Sequence, residues 1–398
     1  MNSEKTLSGK TVLLMAIAAG VIVANLNYIQ PIEGLIAASF HVSKATVGIV
    51  AMLTQLGYAF GLLLIVPLGD LFNRYHLIQA MLVLSIIALL VAFWSPSIVV
   101  FGIASLLVGV TSVAPQIIIP YAASLAPALH QGKVLGNVLS GLLTGILLSR
   151  SVSGLLGSVM RWQFVYLFAA AAGVILLVVL HRYLPRDSRQ QPNLQYLKVL
   201  GSLPTLLRQQ RYLQSAAING FCLFGVSNVL WSTLAFYLAA QYHMGSDVAG
   251  LLGLLGITGV LFASIIGQLV DRYSPRLTIS LGIVFSTVAF LVFAVLGHFF
   301  IGLMVGIVLL DLGTQFSQVS NQAIVQSLNR KASSRNNSIL MFSYFLGGAL
   351  GTFFSAFAWS HYGWGGVCSV AAIFLVIAVV GHWFCVSLNS CATYNSIK

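Results

Sequence analysis

The sequence predicts an all-α membrane protein with twelve transmembrane helices in two parallel six-helix repeats. Three observations support this fold class. Hydrophobic residues make up 59% of the chain and charged residues only 7%, a balance that leaves a water-soluble domain short of polar surface. Apolar stretches long enough to cross a bilayer recur along the whole chain. A short polar loop and a tryptophan each recur about half a chain length later.

The apolar stretches are each close to the roughly 20 residues that a helix needs to cross a bilayer. Backbone groups inside lipid must bond to one another, so each stretch is expected to be helical. The expected spans are residues 11–32, 45–66, 77–95, 98–122, 134–158, 163–181, 213–239, 248–270, 277–297, 299–323, 338–360 and 365–387.

The repeated loop follows the second and the eighth span. It reads Gly-Asp-Leu-Phe-Asn-Arg at 69–74 and Gly-Gln-Leu-Val-Asp-Arg at 267–272. Asp70 and Asp271 are 201 positions apart, and Trp162 and Trp364 are 202 apart. These spacings indicate a duplicated unit of six spans. Six spans return the chain to the same side, so the repeats are expected to be parallel, related by an axis along the membrane normal.

The positive charge indicates topology rather than a nucleic-acid partner. The net charge is +12, but the basic residues form short clusters between apolar runs instead of one basic face. With both termini in the cytoplasm, every Lys and Arg lies on that side except Lys44, Arg161 and the intramembrane Arg150. The positive-inside rule favours this orientation. The first apolar run is interpreted as a retained helix rather than a signal peptide.

A polar, basic segment at 185–212 separates the sixth span from the seventh. The sequence therefore predicts an N-terminal bundle at 1–184, a cytoplasmic linker at 185–212 and a C-terminal bundle at 213–398.

The repeated loops carry a resemblance to a known family, the major facilitator superfamily. The family pattern is roughly Gly-x-Leu-x-Asp-Arg with a basic residue a few positions later. In the second half it is matched by Gly267, Leu269, Asp271, Arg272 and Arg276, and in the first half by Leu68, Asp70 and Arg74. The resemblance covers essentially the whole chain.

Within this superfamily, the chain resembles the drug and metabolite efflux branch and its bacterial inner-membrane members. The segments that carry this likeness are 63–70, 140–150, 310–313 and 318–322. The resemblance implies a monomeric transporter in the bacterial inner membrane, with a small-molecule substrate, protons and the lipid bilayer as partners. The chain differs from the usual sequence of this branch at two positions. Arg150 stands where a proline is usual, and Ser105 replaces an arginine of span four.

The resemblance implies a gate at the cytoplasmic ends of the helices. Asp70 with Arg74, and Asp271 with Gly267, Arg272 and Arg276, would form gating loops. Each aspartate would meet the positive N-terminal end of a helix in the other half, span eleven for Asp70 and span five for Asp271. The alternative is ordinary loop charge that only sets topology.

A polar stripe in the tenth span predicts a cavity lining. Asp311, Gln315, Gln318 and Gln322 follow the i, i+4, i+7, i+11 spacing of one helical face. Further candidates, in spans that resemble the family's cavity-lining set, are Asn25, Asn27 and Tyr28 in span one, Gln116 in span four, and Asn228 and Trp231 in span seven. For each neutral residue, hydrogen bonding between helices is the alternative.

Two charged residues of the spans have competing interpretations. Arg150 either serves as a counter-ion or anionic-substrate contact, or reaches the outer surface with its long side chain. Asp311 either carries a proton or forms a fixed pair, for instance with Arg150. Glu33, near the expected outer end of the first span, is interpreted as a solvated helix-end carboxylate.

The sequence contains no phosphate-binding Gly-rich loop, Gly-x-Ser-x-Gly elbow or paired catalytic carboxylates. We therefore expect no enzyme activity and no cofactor or metal. The leading hypothesis is a secondary transporter that exports a small organic compound with proton coupling by alternating access. The alternative is a membrane sensor of the same fold that binds a ligand without transporting it.

Overall fold

The computed structural model describes residues 8–126, 131–185, 196–328 and 333–387, without the side chains of residues 70, 132, 133, 198, 199, 260, 264, 271, 333, 334 and 384–387. In these residues every regular element is helical. In chain order the α-helices are α1 (Gly9–Ala24), α2 (Ile29–Phe40), α3 (Lys44–Leu64), α4 (Leu68–Leu71), α5 (Arg74–Phe93), α6 (Ile98–Thr111), α7 (Ala114–Leu125), α8 (Gln131–Val159), α9 (Gln163–Tyr183), α10 (Tyr196–Gln209), α11 (Arg211–Trp231), α12 (Leu234–Gln241), α13 (Ser246–Leu252), α14 (Ile257–Arg272), α15 (Pro275–Leu296), α16 (Phe300–Ser327) and α17 (Ser333–Ser387). A 3₁₀ turn, Gly253–Gly256, joins α13 to α14.

The described residues contain 11 apolar helical stretches long enough to cross a membrane. The last of them, Arg335–Trp383, has 49 residues, which at about 1.5 Å per residue is more than twice the ~30 Å hydrocarbon core. Gly363 interrupts this stretch with φ of 60° and ψ of −148°, a conformation that glycine adopts without steric cost. The stretch therefore holds two spans, and the predicted all-helical membrane fold class is confirmed.

The helix after each repeated loop begins with an equivalent N-cap. Asn73 Oδ1 accepts a hydrogen bond from the Tyr75 backbone N–H at 3.0 Å, and Ser274 Oγ accepts one from the Leu277 N–H at 3.2 Å. Such caps satisfy first-turn N–H groups that have no acceptor inside the helix. The two caps are 201 positions apart, the spacing of Asp70 and Asp271, so the duplication extends to local helix geometry.

The first, fourth and seventh spans are each built from two helices that meet at a short break. The breaks lie at residues 25–28 between α1 and α2, 112–113 between α6 and α7, and 232–233 between α11 and α12. The expectation that the first span ends near residue 32 is wrong, because the polar residues 25–30 mark a break and the beginning of α2 rather than an end. The whole span runs over Gly9–Phe40.

The chain forms two compact units, one of Met1–Lys198 with Leu234–Leu254 and one of Val199–Thr233 with Leu255–Lys398. In the first unit α1 packs on α8, α3 on α6, and α5 on α9. This unit also includes α12 and α13, which pack on α2 and α8. In the second unit α11 packs on α17, and α14 and α15 pack on α16. The domain boundaries derived from the sequence therefore remain predictions. Residues 186–195 of the linker lie outside the described residues.

Four rings form what we call the aromatic cluster of the first unit: Phe40, Phe101, Trp162 and Tyr166. The ring centroids of Phe101 and Trp162 are 5.0 Å apart, those of Phe101 and Tyr166 5.3 Å, and those of Phe40 and Trp162 5.6 Å. Three isoleucines of α2, at positions 29, 32 and 36, belong to the same buried core. The aromatic cluster thus anchors α2 inside the first unit.

Candidate functional site

Arg150 lies on α8 and is buried, with 9% of its surface exposed. Its Nε donates a hydrogen bond to Oε1 of Gln30 on α2 at 2.9 Å. Gln30 is buried as well. An amide oxygen is a neutral acceptor, so this bond satisfies a guanidinium donor without neutralising its charge. The side chain therefore points into the first unit instead of reaching the surface.

Helix α13 covers Arg150 through a close contact of glycines. A Cβ atom on Gly250 would lie 3.1 Å from Gly154 Cα and would overlap the Arg150 carbonyl oxygen, and one on Gly253 would lie 2.9 Å from Arg150 Cβ. Ser151 Oγ donates to the Gly250 carbonyl at 3.0 Å, and Ser246 Oγ donates to the Gly154 carbonyl at 3.2 Å. Backbones approach this closely only where residues are small. The contact joins a helix of the first sequence repeat to one of the second.

The predicted polar residues of span one lie at its break, where Asn25, Asn27 and Tyr28 are all buried. Asn25 Nδ2 donates to Ser85 Oγ at 3.4 Å and to Ser112 Oγ at 3.3 Å. The Tyr28 carbonyl accepts a hydrogen bond from the Ser153 hydroxyl of α8. These bonds satisfy polar groups at an interrupted helix inside the membrane.

Gln116 of α7 is half-buried and its Nε2 donates to the Tyr58 hydroxyl at 3.3 Å. This bond joins α7 to α3, as interhelical bonding predicts for a neutral polar residue in lipid.

Glu33 corrects the sequence interpretation. It is fully buried, with no exposed surface, and neither carboxylate oxygen has a hydrogen-bond partner among the described residues. The interpretation as a solvated helix-end carboxylate is wrong because the first span continues to Phe40, so Glu33 lies inside it. The signal available in the sequence was the run of isoleucines at 29, 32 and 36 around Glu33, which is typical of a buried helix face.

The stripe of α16 lies on one partly exposed face of that helix. The four polar side chains of the stripe, from Asp311 to Gln322, are each half-buried. Residues on other faces of α16 are buried, among them Gly313, Ser317 and Ser320. A Cβ atom on Gly259 of α14 would lie 2.8 Å from Gln315 Cγ, so α14 covers part of the stripe.

Aromatic residues of α11 and α17 join the stripe in the second unit. The Tyr344 hydroxyl donates to Gln318 Oε1 at 3.2 Å and interacts electrostatically with Asp311. The Tyr344 ring stacks on Phe224 with centroids 3.9 Å apart and an interplanar angle of 18°. Sequence reasoning missed Tyr344 and Phe224, because no spacing within one helix relates them to α16.

The two candidates of span seven, Asn228 and Trp231, are both buried. Asn228 Nδ2 donates to the Phe224 carbonyl of its own helix at 3.0 Å. A Cβ atom on Gly348 of α17 would lie 3.0 Å from this nitrogen. Asn228 therefore lies between α11 and α17, beside the Phe224 ring.

The gating-loop arginines contact residues of their own unit. Arg74 Nε donates to the Gly69 carbonyl at 3.0 Å, which closes the first loop. Arg276 donates to the Tyr212 hydroxyl at 3.4 Å, and the Arg272 guanidinium lies 5.6 Å from the Tyr273 ring centroid. A Cβ atom on Gly267 would meet nothing within 4 Å. The side chains of Asp70 and Asp271 lie outside the described residues.

Comparison with known proteins identifies the family. The family model described as Major Facilitator Superfamily matches residues 12–299 and 216–389. The chain belongs to the major facilitator superfamily. It is 36% identical over 379 residues to the "Uncharacterized transporter YgaY" of Escherichia coli O157:H7, covering 95% of the chain and 96% of the relative. It is 31% identical to "Probable transporter SCO4007" of Streptomyces coelicolor, covering 92% of the chain and 85% of the relative.

Solved structures agree with this membership at the level of the fold. A POT family transporter in complex with 5-aminolevulinic acid superposes with a TM-score of 0.81 at 10% identity, covering 96% of both chains. The protein is thus a multi-pass membrane transporter of the major facilitator superfamily and not an enzyme. The sensor alternative gains no support, since both relatives carry the name of transporter.

Proposed function

We propose that this major facilitator protein is a secondary active transporter of the drug and metabolite efflux branch. It exports a small organic compound across the bacterial inner membrane in exchange for protons. The protein works as a monomer with both termini in the cytoplasm, and its central site opens alternately to the two sides.

The observation that carries this proposal is the half-buried polar face of α16. Polar side chains on a membrane helix face a wet cavity or a partner helix, because lipid offers them no hydrogen bonds. Tyr344 of α17 donates to Gln318 on this face, and Asp311 lies on the same face two helical turns before Gln318. Three kinds of group therefore converge in the second unit, namely a carboxylate, an amide and an aromatic face. This combination suits substrate binding better than helix packing alone.

The same groups favour an amphipathic organic cation over an anion as the substrate. A carboxylate attracts an ammonium group, and aromatic rings such as Tyr344 and Phe224 add cation–π attraction. Arg150, the residue that would favour an anion, donates to Gln30 and is covered by α13. Its Nε is therefore already bonded within the first unit.

Support for alternating access comes from the contact of α8 with α13. It joins the two sequence repeats through Gly154 and Gly250, with two serine-to-carbonyl hydrogen bonds. Contacts of small residues and single hydrogen bonds can separate at modest cost, since each bond contributes only about 0.5–1.5 kcal/mol. A gate that must open in every transport cycle requires such a reversible contact.

The test is flux in proteoliposomes that contain the purified full-length protein. The probes are a fluorescent lipophilic monocation and a monoanion of similar size, each measured with and without an imposed pH gradient. The proposal predicts that the cation accumulates against its own gradient only when the pH gradient is present, and that a protonophore abolishes this accumulation. Protein-free liposomes are the control.

Two variants make the test specific for the site. Tyr344→Phe keeps the stacked ring, whereas Tyr344→Leu removes it, so the KM for the cation should rise about 2- to 30-fold in the leucine variant, the range expected from loss of a cation–π contact. Accumulation of the anion alone would overturn the substrate class. Saturable binding of the cation without flux in any gradient would favour the sensor.

A further inference from the structure

Glu33 is a buried acid that the proposed transport site does not use. It lies on α2 with no exposed surface, and its two carboxylate oxygens have no hydrogen-bond partner in the part of the chain that the structure describes. No ion pair to Glu33 occurs in that part either. Only seven Asp and Glu residues occur in the whole sequence, so one inside a span without a partner calls for a physical explanation.

The surroundings of Glu33 are apolar and aromatic. Its neighbours on α2 at i−4, i−1 and i+3 are isoleucines of the buried core. The Tyr166 phenol of the aromatic cluster interacts electrostatically with the Glu33 carboxyl. An ionised carboxylate without partners in such surroundings is strongly disfavoured, and the group takes up a proton instead.

A second buried polar group without a hydrogen-bond partner lies in the aromatic cluster of the first unit. The indole N–H of Trp162 is buried and has no acceptor among the described residues. Trp364, which stands 202 positions later in the other repeat, donates its N–H to the Phe293 carbonyl at 3.2 Å. The duplicated tryptophan therefore has an acceptor in the second repeat, whereas in the first repeat its buried donor has none among the described residues.

A cation lies close to Glu33 through its neighbour Gln30. Residues three apart on a helix lie next to each other, about 5–6 Å between Cβ atoms, and Gln30 accepts from Arg150 Nε at 2.9 Å. A movement of about 5–6 Å along α2 would carry the guanidinium from Gln30 to Glu33. An Arg–carboxylate pair would then form, with charge-assisted hydrogen bonds that are about twice as strong as neutral ones.

The remaining titratable and charged groups near α2 do not replace Arg150 in this role. Among the described side chains of the helices packed against α2 they are Lys44 and Tyr58 of α3, Tyr237 of α12 and Asp247 of α13, and Tyr166 of α9 interacts with Glu33. Lys44 lies over the Phe236 ring at 5.2 Å, and the tyrosines are neutral near pH 7. Asp247 carries the same sign of charge as an ionised Glu33 and opposes its ionisation.

We propose that Glu33 is a proton-binding site whose occupancy is linked to the position of Arg150 and, through it, to the contact of α13 with α8. In the described conformation Glu33 is protonated, Arg150 donates to Gln30, and α13 covers Arg150. When α13 separates from α8, water enters and Glu33 releases its proton to that water. The carboxylate that remains pairs with Arg150 and accepts from Trp162. The link to transport rests on the proposed function, but the protonation itself does not.

Infrared spectroscopy of the reconstituted full-length protein tests the protonation without any substrate. A protonated carboxylic acid has a C=O stretching band that a carboxylate lacks. We expect this band near pH 7, and we expect Glu33→Gln, the neutral isostere, to remove a component of it. The matched control Asp247→Asn removes a carboxyl at a helix terminus and should leave the band unchanged.

Isotope labelling keeps the test decisive if the variant does not fold. Glu4 and Glu33 are the only glutamates in the sequence, and Glu4 precedes the first apolar run. Carboxyl-¹³C-glutamate should therefore shift the Glu33 band in the wild-type protein, while bands of aspartates stay in place. A spectrum without a labelled carboxylic-acid band near pH 7 would overturn the proposal.

Arg150→Gln tests the linkage. Without the guanidinium the Glu33 carboxylate loses its stabilising partner, so the pH at which the band disappears should rise by about one unit or more, a tenfold or larger change in proton affinity. Arg161→Gln changes an exposed arginine and should cause no shift. An identical titration in Arg150→Gln and wild type would disprove the linkage to Arg150.

Discussion

The Arg150 guanidinium on α8 donates from Nε to the Gln30 side-chain oxygen on α2 at 2.9 Å, across 120 positions of sequence. Both side chains are buried, so the bond joins two membrane helices where water cannot compensate for its loss. Helix α13 covers the same arginine through Gly250 and Gly253. Arg150 therefore contacts helices of both sequence repeats, and substitutions of Arg150 should affect stability and transport together.

Arg150→Lys should be tolerated better than Arg150→Leu. Lysine keeps the cation but loses the planar fork of donors, whereas leucine removes the buried hydrogen bond to Gln30, at a cost of about 1–3 kcal/mol. Thermal unfolding in detergent and flux in proteoliposomes measure both effects. Arg161→Leu, at an exposed position, is the control. Wild-type flux and stability in Arg150→Leu would show that the charge has no role.

Gly250→Ala should separate α13 from α8. The new Cβ would meet only backbone atoms, the Arg150 carbonyl oxygen and Gly154 Cα, and backbone cannot rotate away as a side chain can. The effect is measured as faster maleimide labelling of Ser246→Cys, in a background without native cysteines. Gly136→Ala on α8, where a Cβ meets nothing within 4 Å, should leave labelling unchanged and raise stability by about 0.5–1 kcal/mol. Equal labelling in both variants would contradict a tight glycine contact.

Asp311→Asn should uncouple transport from protons. Asparagine keeps the size of the side chain but cannot bind or release a proton in the working pH range. Accumulation driven by an imposed pH gradient should disappear in proteoliposomes, while exchange of labelled for unlabelled substrate continues. Full accumulation by the variant would exclude Asp311 as the proton carrier. Loss of folded protein would instead favour a fixed structural pair.

Asp70→Asn and Asp271→Asn should favour states in which the cytoplasmic ends of the helices are open. Each variant removes the negative charge that is expected to meet a positive helix N-terminus, an interaction of about 0.3–1 kcal/mol at an exposed site. Labelling of cysteines placed on the cytoplasmic side should therefore increase a few-fold at most. Asp247→Asn, which the predicted topology places at the opposite surface, is the control. Unchanged labelling in both loop variants would remove the latch from the mechanism.

The membrane fold was predictable because its cause lies in local composition. Long apolar stretches must become helices in lipid, since the backbone has no other hydrogen-bond partners there. The repeat was readable from the loops around Asp70 and Asp271 together with the spacing of Trp162 and Trp364. The N-caps Asn73 and Ser274 show that it extends to the start of the following helices. The end of the first span was not predictable in this way, because residues 25–30 are as polar as a helix end although they form an internal break and the start of α2.

The candidate site was only partly predictable from the sequence. The stripe from Asp311 to Gln322 follows from helical periodicity within α16, a property of one segment. Tyr344 joins Gln318, and Phe224 joins Tyr344, only because α11, α16 and α17 pack together. Contacts between residues distant in sequence depend on helix packing, and a single sequence carries no periodic signal for them.

The sequence by itself determined that this protein crosses the membrane with a duplicated set of helices, because hydrophobicity and repeat spacing act within short segments. The tertiary structure alone decided the environment of each polar residue in those helices. It placed Arg150 against Gln30 and buried Glu33 beside the aromatic cluster, because the charge state and partners of a buried group depend on which helices surround it. For an acid inside a membrane, those surroundings determine whether it carries a charge or a proton.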